Sequence, residues 1–481
     1  MIRRLLAIAH KPQEKGLMTT IERSTALGRS LRTRFIGFRL PPGQTVALAA
    51  LTLILIGALL LMLPISTNPG VELRFLDAMF TATSAVCVTG LIVMDTPNDF
   101  STFGQLIILI LIQVGGLGYA LMATLILLVL GHRIGLRDRM MLTETLSTID
   151  MEGSIRYVKM VALITVSLEG IGTILLTAVF AQDMNFGAAF YYGLFHAVSA
   201  FNNAGFSLFS NSFGNYQTHI SLNLIITTLI ILGSIGFLVF EDLVDNITGR
   251  RVRFLTHTKL AVITTGILLI VGTVGIAVLE WGNTGAFQQL NTGERIMASY
   301  FQTVSRTAGF SSIQINEMQD ATLYFLLLLM AIGGSPSSMA GGIKTTTIAI
   351  VFLTIWAVLR RKNDVEIFHR RIPRDLTVRA LCLAIIAFAM ITTVTLVLDF
   401  TEDQPFLALM FEVTSALGIV GMSLGDGANH SFSASFTDFG KIMIITSMLL
   451  GRFGPLMIGL FAVKTVVHDR YRLPQSRVVI G

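Results

Sequence analysis

Charge is scarce in this chain. Asp, Glu, Lys and Arg make up only 13% of its 481 residues, where a soluble domain carries roughly 25%. With 53% hydrophobic residues and a mean hydropathy of +0.72, this describes a polytopic membrane protein with no soluble domain. Cysteine is nearly absent as well. Cys87 and Cys382 lie far apart in apolar surroundings, so a disulfide framework is unsupported and no metal-ligand spacing appears. There is no HExxH, no GxSxG and no His/Cys cluster. A membrane enzyme would need such a nucleophile, base or metal site, so an enzyme is not expected. No organic cofactor and no nucleic-acid partner are expected either.

The N-terminus lacks the apolar core and small-residue cleavage site of a secretory signal. Residues 1–40 hold nine Lys or Arg against only Glu14 and Glu22. They read as a cytoplasmic basic tail, with an amphipathic transit peptide as the alternative.

One short pattern recurs four times: a hydroxyl residue, five variable residues, glycine, then a large apolar residue. Ser84 precedes Gly90 and Leu91, Ser199 precedes Gly205 and Phe206, Thr303 precedes Gly309 and Phe310, and Ser415 precedes Gly421 and Met422. Successive glycines are 115, 104 and 112 residues apart. Each copy follows an apolar stretch too short to cross a bilayer and lies between two longer runs. The long runs fall near 46–63 and 103–130, 157–180 and 220–244, 260–280 and 321–358, and 376–398 and 439–463. The short ones fall at 75–85, 188–200, 294–304 and 405–416. The expected architecture is an all-α polytopic membrane protein. It has four tandem membrane–pore-loop–membrane repeats, 41–145, 146–250, 251–365 and 366–481, with fourfold pseudosymmetry around one ion pore.

Charge placement supports this count. Segments 1–40, 131–159, 249–259, 359–379 and 464–481 hold 29 of the 35 Lys and Arg, and basic loops mark the cytoplasmic side. Two crossings per repeat put both termini and all three linkers on that side. Three crossings would make successive basic loops alternate. The short runs are therefore re-entrant from outside, and irregular backbone at that depth must be buried in protein or line water.

Such loops suit a cation. Backbone carbonyls can replace its hydration shell, glycine lets the backbone turn with positive φ, and half-helix C-termini add partial negative charge. The hydroxyl of each pattern can tie the half-helix to the loop behind it. Four copies in register, including NNAGF at 202–206 and RTAGF at 306–310, resemble the KtrB/TrkH potassium-transporter superfamily over residues 40–470. KtrB is the nearer likeness, because residues 1–40 are too polar for an extra helix pair. The resemblance maps the family's filter glycines onto Gly90, Gly205, Gly309 and Gly421. It places the selectivity-filter carbonyls on the residues leading into them: Val88 and Thr89, Asn203 and Ala204, Thr307 and Ala308, Ile419 and Val420. Glycine at position 90, where sodium-passing relatives often have serine, leans toward potassium.

Three cations stand outside the basic segments near membrane depth: Arg306, Lys344 and Arg452. Charge there is costly and marks function by default. Lys344 closes the Gly- and Ser-rich stretch 333–347, which interrupts a 38-residue apolar run and reads as an unwound gate loop. Its residues Gly333, Gly334, Ser335, Gly341 and Gly342 break the helix. GGIKT lacks the order and spacing of a phosphate-cradling loop. The resemblance agrees with a gate in the third repeat and assigns Arg452 to face it. A snorkelling or carboxylate-paired Arg452 is the alternative. Arg306, in a filter loop, is expected to face away from the pore and pair with an acid. Glu169, Asp399 and Glu412 either attract cations or pair within the bundle. His196 is expected to be a structural hydrogen-bonder, and GGLG at 115–118 a site of close helix packing.

The reading is K+ uptake across the plasma membrane of a bacterium, with K+ as the transported ion and Na+ as an influence. The alternative is a sodium-selective or nonselective cation transporter on the same fold. By resemblance, the partners are a second copy in a homodimer and a cytoplasmic KtrA/TrkA-type nucleotide-binding ring, beside the membrane lipid itself.

Overall fold

The structure is a computed structural model. It describes residues 42–462 apart from 119–120, 123–153, 251, 284, 289, 363 and 428–429. The basic tail 1–40, the loop cations Arg133, Arg137 and Arg139, and the segment 464–481 lie outside the described residues.

One order of elements occurs four times: a first helix, a short helix, an irregular loop and a second helix. The first stretch contains α1 (Pro42–Leu61), α2 (Phe75–Cys87), the single turn α3 (Thr96–Asp99) and α4 (Thr102–Leu117). Next come α5 (Ser154–Phe180), α6 (Phe186–Phe201), α7 (Ile220–Ser234) and α8 (Phe237–Ile247). The third holds α9 (Thr256–Glu280), α10 (Thr292–Ser305), α11 (Asp320–Ala331) and α12 (Thr345–Leu359). A hairpin of β1 (Val365–Ile367) and β2 (Arg370–Ile372), with Glu366 opposite Arg371, then leads into the fourth. That stretch consists of α13 (Arg374–Thr401), α14 (Phe406–Gly418) and α15 (Asp438–Ala462).

Among the described residues, three helices are long and apolar enough to cross a membrane alone, Arg156–Phe180, Thr256–Glu280 and Arg374–Thr401. The second helices depart from the sequence expectation. The run at 220–244 is not one straight helix: α7 and α8 meet at a 90° bend, where Gly236 has φ 96°. Within the run at 103–130, the helix that starts at Thr102 ends at Leu117, with Gly118 (φ 81°) as its cap. The run at 321–358 breaks between α11 and α12, as its composition predicts. Glycine explains all three, because it takes conformations that stop a helix without a Cβ penalty.

The short helices form the buried centre. Every residue from Ala82 to Cys87 of α2 is buried, as is every residue from Phe195 to Phe201 of α6. Two of their starts, those of α6 and α10, are capped: Asn185 accepts from the Ala188 N–H, and Asn291 forms a capping box with Glu294, which satisfies donors the helix leaves open. The first helices α9 and α13 lie outermost, with Val278 and Phe388 among their exposed side chains. In lipid such faces need no cover, and close packing between helices relies on small residues. Gly115 and Gly116 show this. A Cβ on Gly115 would collide with the Val86 carbonyl, and one on Gly116 with the Asn202 side chain.

Candidate functional site: a carbonyl ring above an intramembrane loop

The four loops after the short helices close into a ring. A Cβ on Gly90 would strike the Ala204 carbonyl oxygen, and one on Gly205 the Ala308 carbonyl oxygen. One on Gly309 would strike Val420, and one on Gly421 would strike Thr89. The chain of contacts runs 90, 205, 309, 421 and back to 90. All four glycines have positive φ, from 71° to 94°. Glycine is therefore required twice over, by its own conformation and by the neighbouring loop's carbonyl.

Three loops share one backbone turn, and the third differs. Val88, Asn203 and Ile419, two residues before their glycines, are left-handed with φ 61°, 58° and 54°. For β-branched Val88 and Ile419 this is a strained conformation, costing about 1–3 kcal/mol each. Their N–H groups bond Ala85, Ala200 and Ala416, and the next N–H in each loop reaches Ser84, Ser199 and Ser415. Thr307 has no positive φ, and there Ala308 and Gly309 both donate to the Ser305 carbonyl.

The hydroxyl tie is present in altered form. Gly90 and Gly421 donate to the Ser84 and Ser415 hydroxyls, each at 3.0 Å, and the Ser199 hydroxyl donates to the Phe206 carbonyl at 2.7 Å. Thr303 does not follow. Its hydroxyl bonds back to the Ser299 carbonyl at 2.8 Å, while the Ser305 hydroxyl donates to the Phe310 carbonyl instead. Neighbouring loops are stitched together, Asn203 to Thr307 at 3.1 Å and Ile92 to Ser431 at 2.9 Å. Above the ring, the Ser210 hydroxyl donates to Asp95 at 2.6 Å. Burial, with Asp99 nearby, holds the Asp95 carboxyl above its ordinary range.

Directly against this ring lies the segment between α11 and α12. Gly341 abuts the Ile419 side chain and Gly342 approaches the Gly418 carbonyl. The neck is pinned: Gly333 N–H donates to Ile343 at 2.9 Å, and Ile343 N–H to Ala331 at 3.2 Å. Gly333 sits so close to Gly341 that a Cβ would collide. The hydroxyls of Ser335 and Thr345 meet at 2.8 Å. The far side of the loop docks in the bend between α7 and α8. Ser335 and Met339 donate to the Ser234 and Gly233 carbonyls, at 2.9 and 3.1 Å, and Phe237 N–H donates to Ser337 at 2.9 Å. A Cβ on Gly236 would strike the Pro336 carbonyl. The unexpected bend is thus the seat of the loop.

All three intramembrane cations donate to carbonyls of this one segment. Arg452 bonds Met339 at 2.6 Å and also Gly115 at 2.6 Å, tying the loop to α4. Lys344 bonds Ala340 at 2.7 Å. Arg306 bonds the Ile332 and Gly333 carbonyls. Among the described residues Arg306 therefore meets no acid, contrary to expectation: the unwound backbone offers the acceptors. Among the described residues, Arg452 likewise meets carbonyls and no carboxylate. A fourth buried cation escaped the sequence reading. Lys441 pairs with Asp77 at 2.8 Å, joining α15 to α2; its place near a helix start gave no signal.

The acids settle as bundle partners. Glu169 accepts from Gln113 at 3.3 Å and Asn202 at 3.0 Å, and Glu412 from Ser423 at 2.7 Å and the Ser433 N–H at 3.0 Å. Asp399 is exposed. His196 bonds the Tyr192 carbonyl at 2.8 Å and Ser207 at 3.1 Å, as a structural histidine does.

A family model described as TrkH, cation transport protein, matches residues 32–472. The chain belongs to the TrkH family. It is a membrane cation transporter and not an enzyme. Among relatives, it is 39% identical over 445 residues to Ktr system potassium uptake protein B of Bacillus subtilis, covering 92% of this chain and 97% of that one. It is 34% identical over 451 residues to potassium/sodium uptake protein NtpJ of Enterococcus hirae, covering 92% and 98%. The crystal structure of the potassium transporter TrkH from Vibrio parahaemolyticus superposes with a TM-score of 0.70 at 20% identity, covering 89% of this chain and 86% of that one. That likeness is one of fold.

Proposed function

We propose that this TrkH-family chain is the ion-translocating subunit of a K+ uptake system in the plasma membrane of a bacterium. The observation carrying this is the closed ring of four glycine loops, each glycine packed against the carbonyl that precedes the next. We read it as the selectivity filter of one pore with fourfold pseudosymmetry. Its ligands are carbonyls of Val88, Thr89, Gly90, Asn203, Ala204, Gly205, Thr307, Ala308, Gly309, Ile419, Val420 and Gly421. Carbonyls supply the coordination that water gives up.

The segment 333–347 is the gate. It closes the pore beneath the filter, and its closed state is stabilised by Arg452, with Lys344 and Arg306 adding positive charge that opposes a cation in the path. Opening must exchange the bonds to Met339, Ile332 and Gly333 for others. The relatives named for a Ktr system support a regulatory partner, which we take to be a cytoplasmic KtrA-type nucleotide-binding ring acting on a homodimer of this chain. Both termini face the cytoplasm in this reading, as the basic segments require.

A second reading, sodium-selective or nonselective cation transport on the same fold, takes support from the relative named for potassium/sodium uptake. Growth rescue separates the two. The chain, with and without a KtrA-type partner, is expressed in cells lacking K+ uptake while external K+ and Na+ are titrated. Rescue at low K+ that is lost in Gly309→Trp supports uptake through this ring. Failure of a membrane-localised protein in both settings, with sodium sensitivity, supports a sodium-selective pore, and K+ rescue that added Na+ abolishes supports a nonselective one.

A further inference from the structure

An apolar cavity of about 140 Å³ lies beside the gate neck, among α12, α13, α14 and α15. Gly342, Ile343 and Lys344 form one wall. The opposite wall is α13, through Leu383, Ile386 and Met390. Leu383 and Ile386 are 37% and 36% exposed, so this wall faces the bilayer. The stripe continues downward. Arg379 stands four residues before Leu383, seven before Ile386 and eleven before Met390, which puts all four on one helix face. At 1.5 Å per residue, Arg379 lies about 6 Å below Leu383 and about 17 Å below Met390. It is exposed. The segment 359–379 carries seven Lys or Arg against Asp364, Glu366 and Asp375. Glu366 pairs with Lys362 and Asp364 with Arg371. Asp375 lies one turn below Arg379 on the same face.

We propose that this stripe holds one anionic phospholipid, its phosphate at Arg379 and an acyl chain in the cavity against Gly342–Lys344. A basic cluster immediately cytoplasmic of a span attracts anionic headgroups, and the length of the stripe suits a chain rising from that level. Occupancy wedges the gate neck against α13, so lipid composition sets the ease of gating. The orientation under Proposed function decides only which leaflet supplies the lipid.

The test is photolabelling of the purified full chain in nanodiscs. The probe is phosphatidylglycerol with a diazirine near its acyl terminus; phosphatidylcholine carrying the same chain is the control. Labelling needs no transport, so it fails or succeeds independently of the K+ reading. The expected result is labelling concentrated in 383–391 and 342–347. Unlabelled phosphatidylglycerol should compete at least several-fold better than phosphatidylcholine. Leu383→Trp should abolish the label, and Arg379→Gln should remove the headgroup preference. Label spread evenly over α9 and α13, or equal competition by both lipids, overturns the proposal. So does a Cys382–Cys382 disulfide between copies that blocks labelling, which assigns the face to a second copy.

Discussion

The carbonyl ring proposed as filter and the loop proposed as gate are both glycine-rich and irregular, yet they are held in different ways. In the ring, each glycine is fixed by a neighbour's backbone, and two β-branched residues are kept left-handed by the turn around them. Nothing there can move alone. The gate loop occurs once. It is held by hydrogen bonds to the α7–α8 bend and by three cations donating to its carbonyls. Hydrogen bonds to charged groups are worth about 1.5–3 kcal/mol net, enough to hold a closed state and few enough to exchange. Under the proposed function, the contrast teaches that selectivity would rest on covalent geometry and close packing, and gating on replaceable side-chain contacts.

The largest expected effect breaks the rigid half. Gly421→Ala places a Cβ against the Thr89 carbonyl at φ 88°. Strain and overpacking of about 2–4 kcal/mol should lower K+ uptake roughly 100-fold, read as the external K+ needed for half-maximal growth. Next comes Arg452→Gln. Losing its bonds to Met339 and Gly115 should raise basal K+ flux roughly 10-fold, measured in proteoliposomes. Deleting 335–340 should act in the same direction; unchanged flux in both would remove the gate assignment. Gly236→Ala, which collides with Pro336 in the seat of the loop, should unseat it more mildly, by about 3-fold in flux. Smallest is Glu169→Gln. Its partners Gln113 and Asn202 are amides and not cations, so thermal unfolding should reveal less than about 1 kcal/mol.

The ring's location was legible because four glycine patterns fall in register with hydropathy. The helix break at 333–347 was legible because glycine, serine and proline cluster there. Other features depend on neighbours. The bend at Gly236 shows in the sequence only as Gly233, Ser234 and Gly236 within an apolar run, and the loop seated against it explains the break. Left-handed Val88 and Ile419 carry no residue-type signal, since β-branched residues avoid that region; Asn203 alone hinted at it. Thr303 fits the hydroxyl spacing, yet Ser305 makes the tie, because the third loop turns one residue differently. Arg306 was assigned an acid because sequence shows side-chain charges and hides unpaired carbonyls.

The most direct test of the separation between the two regions is a K+/Na+ flux ratio in proteoliposomes, for the unchanged chain and for Arg452→Gln. A freed gate beneath an intact ring predicts higher K+ flux with the same ratio. A ratio that collapses toward one, or a flux that does not rise, would contradict the assignment of selectivity to the ring and of closure to the loop.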